Sequence, residues 1–190
     1  MPILSPVIGE GFAAMLAAAQ DGSEPAFTQL WRDSNPALLR YLRVLAPEAA
    51  EDIAAETWVQ VVRGLPGFRG DERGWRAWLF TISRRRVLDE RRRRSRRPAI
   101  PLDEVPESGL PDVGDTAELA VEHLSTRAAL ALLTGLPALQ AEVILLRVVA
   151  GLDTESVASM VGRSPGAVRV AAHRGLRRLA QIVAEQGVTL

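Results

Sequence analysis

The chain has no cysteine, no lysine, one tyrosine (Tyr41) and two histidines, His123 and His173. Without cysteine there is no disulfide frame, no thiolate metal site and no cysteine nucleophile. The histidines stand 50 residues apart, so no metal site, cofactor site or catalytic constellation is expected, and the chain does not read as an enzyme. No apolar run approaches the roughly 18 residues of a membrane-spanning helix. Met1–Gln20 also lacks the basic start of a signal peptide. These absences point to a soluble, cytoplasmic protein without membrane insertion. The chain ends soon after its last expected helix, so no appended sensory domain is expected.

What is present is segregated charge. The chain is formally neutral, yet residues 63–97 carry 13 arginines against 4 acids, and residues 98–123 carry 7 acids and no base. Such blocks imply different partners for different segments. The basic block contains Trp75, Trp78, Leu79 and Ile82 at the i, i+3, i+4, i+7 spacing of a buried helix face. At about 100° per residue, Arg84 and Arg91 point away from that stripe, whereas Arg86 and Arg93 fall on its own side. The helix is therefore expected to leave its core near Arg86. Pairs at i, i+4 (Arg85–Asp89, Arg86–Glu90, Asp89–Arg93) can offset part of the charge. Two acids cannot neutralise the nine arginines between 84 and 97, and the expected partner is a nucleic acid. Phe68 and Trp75 are placed to stack on an unpaired base, as aromatics do in single-strand grooves.

The pattern is helical throughout. Helices are expected at about Glu10–Gln20, Glu24–Ala46 (Phe27, Leu30, Trp31, Leu38, Leu39, Leu42 and Leu45 inward, with Pro36 as a kink) and from Pro47 to Pro66-Gly67 (Ile53, Trp58, Val61, Val62 and Leu65 inward). A loop over residues 67–74 leads into the arginine helix. Residues 98–116 hold four prolines, two glycines and no aromatic residue, the composition of a linker. Helices resume at about 117–134, 137–149, 154–161 and 165–186. The expected fold is all-α: one helical domain over 1–97, a flexible acidic linker over 98–116, and a second helical domain over 117–190.

The last two helices form a helix-turn-helix pattern. Asp153 can cap a helix carrying Val157, Ala158 and Val161 inward; Gly162 supplies a left-handed end, and Ser164-Pro165 starts the next helix. That helix is expected to bury Val168, Ala172, Leu176, Leu179 and Val183. Gly166, Val170, Arg174 and Arg177, flanked by Arg169 and His173, then face outward, as entry into a major groove requires.

Together these segments resemble the extracytoplasmic-function class of bacterial sigma factors, over nearly the whole chain. Ala50-Glu51-Asp52-Ile53-Ala54-Ala55-Glu56-Thr57-Trp58 is similar to the family's polymerase-docking helix. Phe68 through Trp78-Leu79, then Ile82-Ser83-Arg84 and Asp89, resembles its helix for the minus-ten element. Leu136-Pro137-Ala138-Leu139-Gln140 with Val157-Ala158, Gly162 and Ser164-Pro165-Gly166-Ala167-Val168-Arg169 resembles its minus-thirty-five reader. The resemblance implies a region 2 domain, a linker through the polymerase cleft and a region 4 helix-turn-helix. It implies promoter-selective initiation with core RNA polymerase and promoter DNA as partners, and an anti-sigma factor as a further partner.

The resemblance also implies roles. Asp52 and Glu56 would face the clamp helices of the largest polymerase subunit, and the loop 67–74 would hold a flipped promoter base. Phe68, Arg69, Trp75, Arg76, Arg84, Arg85, Arg86 and Arg92 form the minus-ten set. Ser164, Gly166, Arg169, Val170, His173, Arg174 and Arg177 form the minus-thirty-five set. Arg85 stands where the family usually has Asn, Ala55 replaces a frequent Gln, and Ala171 sits where some members carry a base. The rival readings are a helix-turn-helix regulator, which needs an effector pocket or dimerisation helix, and an arginine-rich RNA-binding protein, which leaves the C-terminal reader idle. Asp103, Glu104, Glu107, Asp112 and Asp115 of the linker are placed to fold back on the arginine helix.

Overall fold

The computed structural model describes residues 11–96 and 130–185. The expected linker with its five acids, and most of the helix expected at 117–134, lie outside the described residues. Within them every regular element is helical. In order these are α1 (Phe12–Gln20), α2 (Glu24–Leu45), α3 (Ala50–Gly64), α4 (Glu72–Arg96), α5 (Ala138–Ile144), α6 (Thr154–Val161) and α7 (Pro165–Glu185), with residues 130–134 also helical ahead of α5. Short 3-10 turns, Pro47–Ala49 and Leu65–Gly67, precede and follow α3, and a π-helical turn, Leu145–Val149, extends α5.

Local chemistry sets the boundaries. Ser23 accepts a hydrogen bond from the Ala26 amide and caps α2. The helix then runs on through Pro36, which has no N–H to give the Arg32 carbonyl. Asp71 starts α4, accepting from the Gly74 amide at 2.8 Å. Helix α1 packs on α2, and α3 packs on both α2 and α4. Their shared core holds Leu30, Leu38, Leu42, Val61, Trp75 and Leu79, none with measurable exposure. Burial of each such side chain contributes about 1.5–3 kcal/mol.

Two residues of α2 and α3 expected inward are not. Trp31 is 40% and Val62 52% exposed. Each lies one residue, about 100° of helix, beyond the buried stripe, next to Leu30 and Val61 respectively. Helix α4 also departs from expectation. It does not leave the core at Arg86, because Val87 is buried, and only residues 91–96 are exposed throughout. A second buried face, Phe80, Ser83 and Val87, supplements the expected stripe. The reason is that α4 is covered from two sides: Tyr41 of α2 meets Phe80 edge-on, ring centres 5.3 Å apart, and Arg84 meets α5.

The second unit is built on α7, which packs against α5 and α6. The crossing with α5 is close: a Cβ at Gly175 would lie 2.7 Å from Ile144 Cδ1. The buried side of α7 is Val168, Ala171 and Gly175. Leu176, expected inward, is 52% exposed, since the contact stripe passes through Gly175 instead. Ala171 lies inside that contact and not on the outer face.

Candidate nucleic-acid interface

Around the loop before α4, six aromatic rings form one cluster. Phe68 stacks on Trp78 at 5.0 Å and meets Trp75 edge-on at 5.7 Å, while Trp75 lies near Phe12 and Trp58. Phe27 joins through Trp58. Gly64 makes room for it: a Cβ there would fall 2.7 Å from Trp78 Cζ2. Trp75 Nε1 donates to Ser34 Oγ at 3.0 Å, and its ring has no exposure. The expectation that Trp75 stacks on a base is therefore corrected: its ring is core and its one polar atom is satisfied. Phe68 is half-buried and Arg69 exposed. Arg69 Nη1 donates back to the Pro66 and Phe68 carbonyls, so part of this guanidinium holds its own loop.

Along α4 the arginines divide by partner. Arg76 is paired with Glu72 at 2.9 Å, Arg84 with Glu142 at 2.8 Å and Arg92 with Asp89 at 3.3 Å. Arg86 donates to Gln60 at 2.9 Å and lies 3.6 Å from Glu56. Arg94 reaches Glu90 and Glu48, and Arg93 lies 3.5 Å from Glu90. The three i, i+4 pairs expected from spacing are not among these: Gln60 and Glu56 of α3 draw Arg86 away, while Asp89 and Glu90 pair with other arginines of α4 itself. Arg85 is exposed, with no ion pair among the described residues. It faces α6 across an open cleft lined by Ala77, Thr81, Arg84, Glu155, Ser159 and Met160.

Asp52 and Glu56 are both exposed on one edge of α3. Beyond them on that helix Val59 and Val62 are about half exposed, at 51% and 52%. Exposed apolar side chains grouped with charges are a feature of protein contact sites.

In the second unit the turn is built as the sequence suggests. Asp153 Oδ1 accepts from the Ser156 amide at 2.7 Å, and these Ser156 hydrogen bonds hold its carboxyl below the usual range. Gly162 has φ +67°, a conformation glycine adopts without penalty. Ser164 Oγ accepts from the Ala167 amide at 3.2 Å, so Ser164 serves as the cap of α7. Ser164, Gly166, Arg169, Val170, His173, Arg174 and Arg177 are all exposed. They form the free side of a helix whose other side is committed to α5 and α6.

Residue spacing missed Glu142, a carboxylate with 9% exposure. It accepts from Arg84 and from the Tyr41 hydroxyl, the latter at 3.3 Å. Its one signal was an acid set among Ala141, Val143, Ile144 and Leu145. Burial, then the nearby Glu142 charge, pushes the Tyr41 hydroxyl well above its ordinary pKa. Among the described residues no group of His, Asp and Glu is arranged to hold a metal ion, and no helix is long and apolar enough to cross a membrane.

Comparison with known proteins gives these surfaces a common context. Residues 30–97 match the family model Sigma-70 region 2, and residues 126–179 match Sigma-70, region 4. The chain is 35% identical to the ECF RNA polymerase sigma factor SigD of Mycobacterium tuberculosis, covering 94% of this chain and 87% of that one. It is 39% identical to the ECF RNA polymerase sigma factor ShbA of Streptomyces griseus, covering 91% and 95%. Its fold is similar to that of CnrH in complex with the cytosolic domain of CnrY (TM-score 0.62, 23% identity, 93% of this chain and 99% of that one). It is likewise similar to the sigma factor RpoE in complex with the anti-sigma factor NepR from Bartonella quintana (TM-score 0.60, 24% identity, 83% and 96%). With both regions in one chain and in order, the arginine helix and the C-terminal reader are parts of one protein, and the rival readings are not favoured. The chain belongs to the extracytoplasmic-function RNA polymerase sigma factors, the non-enzymatic initiation factors that direct promoter-specific transcription.

Proposed function

We propose a division of labour among the surfaces of this sigma factor. Residues 1–97 form the region 2 domain, 98–116 the linker and 117–190 the region 4 domain. Asp52 and Glu56 dock on the largest subunit of core RNA polymerase, with Val59 and Val62 extending the contact. The loop 67–74 and the α4 arginines take the minus-ten element: Phe68 and Arg69 at an extruded base, and Arg76, Arg84, Arg85, Arg86 and Arg92 along the strand. The outer side of α7 takes the minus-thirty-five element in the major groove, through Arg169, Val170, His173, Arg174 and Arg177. The protein works in the cytoplasm, and an anti-sigma factor covers one or more of these surfaces until it is needed.

The observation that carries this reading is the outer row of α7. Seven candidate residues stand exposed together behind a capped, left-handed turn. The docking half is tested by Asp52→Arg with Glu56→Arg. Affinity for core polymerase should fall while helicity stays at the wild-type level; wild-type affinity in this double variant contradicts the assignment.

A further inference from the structure

Helix α1 precedes the region 2 match, which begins at residue 30, and none of the roles above uses it. Its last residue, Gln20, reaches the loop between α3 and α4. Its Nε2 donates to the Leu65 carbonyl at 2.9 Å and to the Phe68 carbonyl at 2.8 Å. A primary amide has two N–H donors, and Gln20 spends both on this loop. The other hydrogen bonds accepted by the Leu65–Phe68 turn come from the loop itself: Phe68 N–H to the Leu65 carbonyl, and Arg69 Nη1 to the Pro66 and Phe68 carbonyls. Among the described residues Gln20 is thus the one side-chain donor from another element to the Leu65–Phe68 turn, bonding residues 45 and 48 positions away. A second contact keeps α1 in place, since Phe12 lies 6.4 Å from Trp75, the ring that Phe68 meets edge-on.

We propose that Gln20 is a positioning residue for promoter recognition. It pins the Leu65–Phe68 turn so that Phe68 and Arg69 meet an extruded minus-ten base in one fixed geometry. This rests on the reading that the loop 67–74 holds that base. A pinned loop is ordered before DNA arrives. An unpinned loop must be ordered by the DNA, and that entropy cost falls on the base-bound state alone. Docking through α3 and upstream reading through α7 use other surfaces and should not sense the change.

The test uses holoenzyme assembled from core polymerase with the wild-type chain, Gln20→Met, Gln20→Glu or Phe68→Ala. Gln20→Met keeps a similar length without donors, and Gln20→Glu turns an acceptor toward the two carbonyls. The probe is a single-stranded DNA library randomised across the minus-ten element, read as the enrichment of each base in the bound fraction. Two hydrogen bonds of ordinary net strength correspond to roughly tenfold, so both Gln20 variants should lose about that much of the wild-type base enrichment. Affinity for core polymerase and for duplex upstream DNA should stay at the wild-type level. A wild-type enrichment profile in both Gln20 variants overturns the proposal, even if the variants unfold at lower temperature, because Gln20 is then only a brace for the fold. The reading of the loop fails separately: wild-type holoenzyme then shows no base preference, or Phe68→Ala leaves that preference intact.

Discussion

Arg84 Nε donates to Glu142 Oε1 at 2.8 Å, an ion pair that joins α4 to α5 across 58 residues of sequence. Because Glu142 also accepts from Tyr41, one carboxylate ties the second unit to both α2 and α4. Arg84 is one of the proposed minus-ten cations, and in this arrangement the pair with Glu142 holds most of its side chain away from solvent. Removing one partner of a buried pair costs about 3–5 kcal/mol. Arg84 keeps 19% side-chain exposure, which places this pair at or below the lower end of that range. Glu142→Ala should loosen the packing of the two units, read as a larger radius of gyration in small-angle scattering. An unchanged radius contradicts the importance of the pair.

Tyr41 gives the same contact a dependence on alkaline pH. Its hydroxyl is neutral in the folded chain well above the ordinary value of about 10. The folded state therefore holds a proton that the unfolded chain releases, and stability falls as pH rises above the unfolded value. Below that value the contribution is fully present. Tyr41 is the only tyrosine, so the phenolate absorbance band follows it directly. The band should appear together with unfolding, and Tyr41→Phe should reduce the alkaline loss of stability. A phenolate that forms in the intact fold near the ordinary value contradicts this account.

Gly64 controls the aromatic cluster beneath the loop. A methyl group there would sit 2.7 Å from Trp78 Cζ2, and that ring is stacked on Phe68. The helix-propensity gain of alanine over glycine is at most about 1 kcal/mol, against about 1–3 kcal/mol for overpacking. Gly64→Ala should therefore destabilise the chain and shift the tryptophan fluorescence. Stability above wild type in thermal unfolding would show that Trp78 can yield without cost.

On α7, Arg174 is exposed within the outer row. If it reads a base with both guanidinium donors, Arg174→Ala costs about 1–3 kcal/mol and relaxes preference at one upstream position. If it contacts phosphate, binding weakens equally on all sequences and the salt slope drops by about one. Titration of upstream duplex DNA over a salt series separates the two outcomes. Wild-type binding at every salt concentration removes Arg174 from the interface.

Local chemistry made the framework legible. Asp153, Gly162 and Ser164-Pro165 act within a few residues of their partners, so spacing alone located the turn before α7. The outer row followed, because one buried stripe on a helix leaves its opposite side to solvent. Periodicity erred where a helix is covered on more than one side or a residue lies at the stripe's edge. The second covered face of α4, with Phe80 and Val87, belongs to the first kind, and Trp31, Val62 and Leu176 to the second. Spacing placed Trp75 on the buried stripe, but not how completely it is covered, because the aromatics that bury it come from α1, α3 and the loop, 7 to 63 residues away. The partners of Arg84 and Gln20 were hidden for the same reason: both bonds span more than 40 residues.

A sigma factor gives core RNA polymerase a choice of start site. The direct measurement is transcription in vitro from fragmented genomic DNA, using core enzyme freed of other sigma factors, with and without the chain. Added chain should produce transcripts with defined 5′ ends, all downstream of one shared pair of sequence elements, and Asp52→Arg with Glu56→Arg should abolish them. The same scattered ends with and without the chain would contradict the account.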